Sequence, residues 1–453
     1  MIRQGAALSV APISNPKGRK HIHMKKLTIK KTFSRSETGQ YIVLPFEVPQ
    51  HTERLEVTYS YNRHKQEKSE FGIKTHESNI IDLGLVDSHK ELRGWSGSDR
   101  SSVFVSEHRS TPGYKRKPIE EGIWAVALGI YKVEKSVEVT IDISIEAKKA
   151  AWLFGDLHMH TLNSDGWYTT TQVIEYAKQA GLDFIALTDH NNTEQNMEIG
   201  NPEGITVLPA MEYTNYQGHA NFFFKDRSTQ LGTSPLSNTK EEMLQLFKEG
   251  REAGSTICLN HIMDDGCPWL FGFEDIPYDF VEVWNGFIKA SDHRGIEWWH
   301  QQLCKGKKLA AVAGSDTHHI QVGRSYGCPG IWVYSLSRSP KDILEAIIKG
   351  RSFLVSSPDS ALLDIRLGQW GLGDEAKYSE SLEGSVSIRR AKKGDSVSLI
   401  HAGGVVRTWT VAHDGEVTYP FPVEERLFYR VELYRTTLGQ PLLNALTNAV
   451  YLK

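Results

Sequence analysis

Between residues 25 and 150 apolar and polar positions alternate with a period of two. LTIKKTF, YIVLPFEVP, RLEVTYSYN, GIWAVALGIYKV and VEVTIDISIE each put apolar side chains on one face, with turn residues between them. The pattern predicts an all-β, sandwich-like N-terminal domain, in which RGWSGSDRSS reads as a loop. From residue 151 the rhythm changes. LFGDLHMH, LDFIALTDH, GITVLPAMEY, STICLNHI, YDFVEVWN and LAAVAGSDTHH are short apolar runs that read as buried strands. TTTQVIEYAKQAG, NTKEEMLQLFKEGREAG, SDHRGIEWWHQQLCKGK and SPKDILEAIIKGR carry helical periodicity and caps. Strands alternating with helices over 151–360 predict an α/β region of parallel βα units, closed into a barrel rather than laid out as an open sheet. LLDIRLGQW, GSVSIRRA, DSVSLIHAG, FYRVELYR and NAVYLK in 361–453 predict a small C-terminal β subdomain. Residues 1–24, basic with a weak apolar patch, read as a disordered leader ahead of Met24.

Chemistry enters at the ends of the predicted strands. The first ends in His158 and His160, with Asp165 beyond; another ends in Asp189 and His190. A third ends in Glu212, with His219 shortly after. The later ones end in His261 and in Asp316 and His318. In an α/β barrel the C-terminal strand ends converge on one mouth. Residues i and i+2 of a strand share a face, so His158 and His160 can hold one ion together, as can Asp316 and His318. Imidazole and carboxylate donors suit Zn²⁺, Mn²⁺ or Fe²⁺. Nine such residues exceed the needs of one ion and imply two to three, with a carboxylate such as Glu212 as a bridge. A lone strand-end histidine is ordinarily a satisfied polar residue; the repetition along the chain carries the inference.

Composition narrows the partners. The 453 residues hold 52 basic and 55 acidic side chains, a net charge of −3, which gives no electrostatic footprint for nucleic acid or an anionic membrane. No apolar run is long enough for a membrane span. The four cysteines, Cys258, Cys267, Cys304 and Cys328, form no C-x-x-C pair, so reduced thiols in a cytoplasmic protein are expected.

GDLHMHTLNSDG, ALTDHNNT, PAMEYT, LNHI, VEVWNG and AGSDTHH together resemble the motifs of the PHP (polymerase and histidinol phosphatase) superfamily, over about 151–360. The flanking β domains make the chain most similar to the CehA/McbA branch, which includes carbaryl hydrolase. The resemblance implies a distorted (β/α)7 barrel with a trinuclear site. It implies a first ion on His158, His160, Glu212 and Asp316, a second on Glu212, His219 and His261, and a third on Asp165, His190 and His318. Some members have histidine where this chain has Asp165, so the third site is richer in oxygen here. Asp189 is expected to orient a ligating imidazole, and Arg351 or Arg324 to hold an anionic substrate. Glu282 reads equally as core-edge support or ligand, and His319 as a loop histidine.

These residues point to a metal-dependent hydrolase acting on a small molecule. Such a cluster lowers the pKa of a bridging water and makes hydroxide available for attack on a phosphomonoester or phosphodiester. Two alternatives stay open: a carbamate, ester or amide hydrolase, and a non-catalytic, metal-stabilised glycan-binding protein.

Overall fold

A computed structural model describes residues 25–69, 72–107, 109–231 and 236–453; the leader expected over 1–24 lies outside them. The chain divides into two compact units, one ending at Lys149 and one comprising Ala150–Lys453.

The N-terminal unit is all β, as its alternation predicts. Its strands are β1 (Lys25–Ser34), β2 (Tyr41–Val48), β3 (Thr52–Tyr61), β4 (His64–Ser69), β5 (Gly72–Glu77), β6 (Asn79–Val86), β7 (Leu92–Trp95), β8 (Ser102–Ser106), β9 (Gly122–Val133) and β10 (Ser136–Ala147). They form two four-stranded antiparallel sheets, β1-β10-β3-β8 and β2-β9-β6-β7, with β4 and β5 as a separate hairpin. Val57, Ile141 and Ile143 of one sheet and Leu83, Val126 and Leu128 of the other share a single core. The segment read as a loop at 93–102 instead enters and leaves strands. Gly94 and Trp95 belong to β7, where the indole lies over the bare backbone of Gly84 and Gly129.

The second unit begins with β11 (Ala151–Asp156), α1 (Thr170–Gln179), β12 (Phe184–Leu187), α2 (Glu194–Glu198), β13 (Thr206–Asn215) and β14 (Gly218–Phe223). It continues through α3 (Lys240–Glu252), β15 (Thr256–Leu259), β16 (Phe280–Asn285), α4 (Ala290–Cys304), β17 (Ala310–Gly314), β18 (Gly330–Ser335), α5 (Pro340–Ile348) and β19 (Ser352–Val355). The expected helices are capped as their sequences suggest. Thr169 and Gln172 form a capping box on α1, and Ser339 caps α5 ahead of Pro340.

β11, β12, β13, β15, β16 and β17 all run in one direction, and β14 lies antiparallel between β13 and β15. Just beyond the ends of the first and last of these, Met159 bridges Thr317 in parallel, so their C-terminal ends meet. The βα alternation is not regular along these strands. The turn at Tyr216–Gln217 makes β13 and β14 a hairpin, and the parallel crossover from β15 to β16 is a loop without a helix. No helix among the described residues is long and apolar enough to cross a membrane.

The remaining strands are β20 (Leu362–Leu367), β21 (Glu375–Ala376), β22 (Glu383–Ala391), β23 (Ser396–His401), β24 (Gly404–Thr410), β25 (Gly415–Pro422), β26 (Phe428–Thr437), β27 (Gln440–Thr447) and β28 (Val450–Leu452). The sheet runs across residue 360: β19 pairs with β27, and the 361–453 segment shares its core with α1 and β12. The side chain of Asn448 also completes the edge of β17. It accepts from Ala311 N at 2.8 Å and donates to Ala311 O at 2.9 Å.

Candidate metal centre

Apolar strands deliver polar side chains to one end of the second unit. β12, β15 and β17 are buried almost throughout, which fits strands covered on both faces. Where they stop, the chain turns sharply. His261 and Asp316 both adopt left-handed backbone, φ 27° and 50°, an arrangement that costs about 1–3 kcal/mol per residue and persists only where its surroundings enforce it. Here buried carboxylates do so. Glu282 Oε2 accepts from His261 N at 2.9 Å, and Asp156 Oδ1 accepts from Ser315 N at 3.0 Å. Gly314 leaves the necessary room, since a Cβ there would fall 2.4 Å from His158 Cβ and 2.5 Å from Glu282 Oε1.

Glu212 is the hub. Its side chain is fully buried. His158 Nε2 and His219 Nδ1 lie 3.2 Å from its carboxylate, His190 Nδ1 2.9 Å, and His160 Nε2 and His261 Nε2 3.5 Å. Asp316 Oδ1 stands 3.0 Å from His160 Nε2, 3.5 Å from His158 Nε2 and 3.6 Å from His318 Nδ1. Asp165 closes the outer side, 3.1 Å from His318 Nε2 and 3.6 Å from His190 Nε2. All nine residues expected as ligands thus join one network, buried at Glu212 and His158 and open to solvent at Asp165. His219 reaches it from the start of an antiparallel strand rather than from a loop, because reversing β14 brings its first residues to the same mouth.

The network places opposed demands on its protons. Burial drives the Glu212 carboxyl upward, but His158, with His190 and His219, outweighs it and holds the group well below the ordinary carboxylate range. Burial lowers the His158 imidazole, yet Glu212, Glu282 and Asp316 together raise it well above its ordinary value. For His160 burial wins and the pKa falls. His158 Nε2, His160 Nδ1 and Glu212 Oε2 are buried atoms satisfied by no hydrogen bond. Buried polar atoms are ordinarily paired; orphaned donor atoms turned into one cluster of imidazoles and carboxylates fit bound divalent cations.

A second layer of side chains aims the first. His158 Nδ1 donates to Glu282 Oε1 at 3.0 Å, which leaves Nε2 as the free lone pair facing Glu212. His261 Nδ1 donates to the Cys267 carbonyl at 3.2 Å with the same result. Asn260 Nδ2 donates to Glu212 Oε1 at 2.7 Å and to Asn221 Oδ1 at 2.9 Å. Glu282 therefore has the orienting role expected of Asp189. Asp189 instead accepts from Thr161 N (2.8 Å), Thr161 Oγ1 (2.9 Å) and Ser164 Oγ (2.7 Å), and braces the loop that follows His160. Sequence reading missed Asn260 and Cys267. Cys267 Sγ lies 3.7 Å from His261 Nδ1 and groups with His219 and His261.

Arg351 is not at this mouth. It precedes β19, which runs antiparallel to β18, and its carbonyl accepts from Tyr334 N at 2.8 Å. Tyr334 pairs with Trp152 near the beginning of β11, so Arg351 stands at the opposite end of the strands and pairs with Asp374 at 3.3 Å. Arg324 is at the mouth: its Nη2 is 3.3 Å from where a Cβ on Gly286 would stand, just past β16.

No curated protein matches the chain. Among solved structures, a two-domain protein from Bacteroides vulgatus containing a predicted PHP-like metal-dependent phosphoesterase shares 19% identity, with 66% of this chain and 95% of that chain covered and a TM-score of 0.41. An amidohydrolase from Chromobacterium violaceum shares 17% identity, with 42% of this chain and 95% of that one covered and a TM-score of 0.30. The PHP domain family model matches residues 156–262, the stretch that supplies His158, His160, Asp165, His190, Glu212, His219 and His261.

Proposed function

We propose that this chain is a metal-dependent hydrolase whose reaction is hydrolysis of a phosphomonoester or phosphodiester. The observation that carries the reading is the buried Glu212 carboxylate ringed by five histidines at 2.9–3.5 Å, with donor atoms left unpaired. His158, His160, Glu212 and Asp316 would hold one divalent ion; Glu212, His219 and His261 a second; Asp165, His190 and His318 a third. Ions held there supply Lewis acidity and bring the pKa of water towards neutrality. The protein's own part is positional: Glu282 fixes the His158 tautomer, Asp189 braces the loop carrying Asp165, and Arg324 offers a cation beside the entrance.

A carbamate, ester or amide hydrolase is the second reading. It is favoured by the place of Arg351, which leaves few cations near the cluster to anchor a phosphate. Assaying metal-replete protein on p-nitrophenyl phosphate, bis-p-nitrophenyl phosphate and aryl carbamates, with metal counted by elemental analysis, separates the readings. Fewer than one ion per chain, or turnover of carbamates alone, overturns the phosphoesterase proposal.

Arg351→Ala is expected to leave phosphoester kcat/KM within about twofold. Arg324→Ala should raise KM by about tenfold, the order expected from losing one charged contact to an anion. Steady-state kinetics on both variants checks the pair.

Metal uptake should release protons. In the metal-free chain burial disfavours protonation of His158 and His261, but carboxylates around His158, and a hydrogen bond with Cys267 together with Glu212 and Glu282 around His261, raise both well above the ordinary histidine value. A raised pKa favours the protonated imidazole, which must lose its proton to bind an ion, so affinity should weaken as pH falls. Calorimetric titration in buffers of different ionisation enthalpy reads the proton count; a buffer-independent enthalpy would contradict it.

A further inference from the structure

The mouth of the cluster is rimmed with apolar side chains. Between residues 150 and 323, the large apolar side chains exposed among the described residues fall on segments at the cluster end of the strands. They include Leu162 and Trp167 after β11, Tyr216 in the β13–β14 turn, Leu270 after β15, Phe287 after β16 and Val322 after β17. The turns at the opposite end are different: their large apolar residues, such as Leu182 and Ile205, are buried. Solitary exposed apolar residues are ordinary on a protein surface, but a contiguous set marks a binding surface.

Contacts tie the rim to the cluster. Trp167 N donates to the carbonyl of His318 at 2.9 Å, and its ring stacks on His319 with centroids 4.1 Å apart and planes at 17°. Leu270 N donates to Gln217 O at 2.7 Å, which brings Leu270 to the β13–β14 turn beside Tyr216, three residues before His219. Phe287 follows Gly286, against which Arg324 lies. These side chains stand on the segments that follow the cluster-bearing strand ends. A small, fully polar metabolite would gain nothing from them.

We propose that the substrate of this site carries a large apolar substituent, alkyl or aryl, next to the ester group that enters the cluster. This names the substrate class of the hydrolase reading and rests on it. The net charge of −3 argues against an anionic membrane as the occupant of the rim.

The test uses methyl-, butyl- and octylphosphonate, which cannot be hydrolysed, titrated calorimetrically into metal-replete full-length protein below their aggregation concentrations. Affinity should rise by roughly twofold for each methylene half-buried on the rim. A combined Trp167→Ser, Leu270→Ser and Phe287→Ser variant should flatten that slope without changing the thermal midpoint, since the three side chains are exposed. Equal affinity for methyl- and octylphosphonate, or no binding of any of them, overturns the proposal, as does an unchanged slope in the variant. p-Nitrophenyl octyl phosphate, assayed in parallel, keeps the two readings apart. A chain-length slope in binding with no turnover retains the apolar rim and removes the hydrolase.

Discussion

Replacing Glu212 with glutamine is expected to lower hydrolysis by at least ~10³-fold, the order seen when a group at the reacting centre is lost. Glutamine has nearly the same shape, so the change isolates charge. The carboxylate faces His158, His160, His190, His219 and His261, and a neutral amide cannot bridge two cations. Metal content should fall with activity. A stability effect follows in the metal-free protein. The carboxyl is held well below its unfolded pKa, so its contribution is present at neutral pH and is lost only as pH drops through the lowered folded value. Breaking a buried pair of this kind costs about 3–5 kcal/mol. Calorimetry at neutral pH should therefore show a lower midpoint for Glu212→Gln, with the far-UV spectrum retained. A variant with wild-type turnover and metal content would end the bridging role.

Glu282→Ala should have the second largest effect, a loss of about 10–100-fold in metal affinity, as is typical when the partner of a ligating histidine is removed. One carboxylate serves two ligands: Oε1 sets the His158 tautomer, and Oε2 accepts from the His261 amide at 2.9 Å and from Asn285 Nδ2 at 3.1 Å. Alanine frees the His158 ring to rotate and removes the bond that enforces left-handed backbone at His261. Glu282→Gln should fall between, because its oxygen can keep only one of the two partners while its NH₂ faces the other. Titration against a competing chelator ranks the three proteins. Equal affinities would make Glu282 a packing residue of β16.

The strand ends were legible because burial writes them plainly. FIAL and AAVAG have no polar position, and TICL none after its opening threonine, until the chain leaves the sheet, so a histidine or acid there stands out. Topology was less legible. His219 lies in a strand whose direction depends on a two-residue turn, and no periodicity reports direction. Asp189 and Glu282 illustrate a different gap. Both are buried acids at strand ends, and which of them meets an imidazole depends on which strands are neighbours in space. Arg351 was misplaced for a related reason: β19 is antiparallel to β18, which is antiparallel to β11, so β19 runs with β11 and the residue before its start lies at the end away from the cluster. Asn260 stands next to His261, but an asparagine there reads as a turn until Glu212 is seen against it.

The bond between Asn448 and the edge of β17 bears on how the protein is made. β17 leads directly to Asp316 and His318, yet its outer backbone is completed by a side chain more than a hundred positions further along the chain. During synthesis, at about 5–20 residues per second, the segments carrying the nine cluster residues leave the ribosome well before that asparagine. For those seconds β17 is an unfinished edge and β19 lacks β27. All nine cluster side chains thus precede the asparagine that completes the edge of β17, and completion of that edge is expected to be a late step in biogenesis.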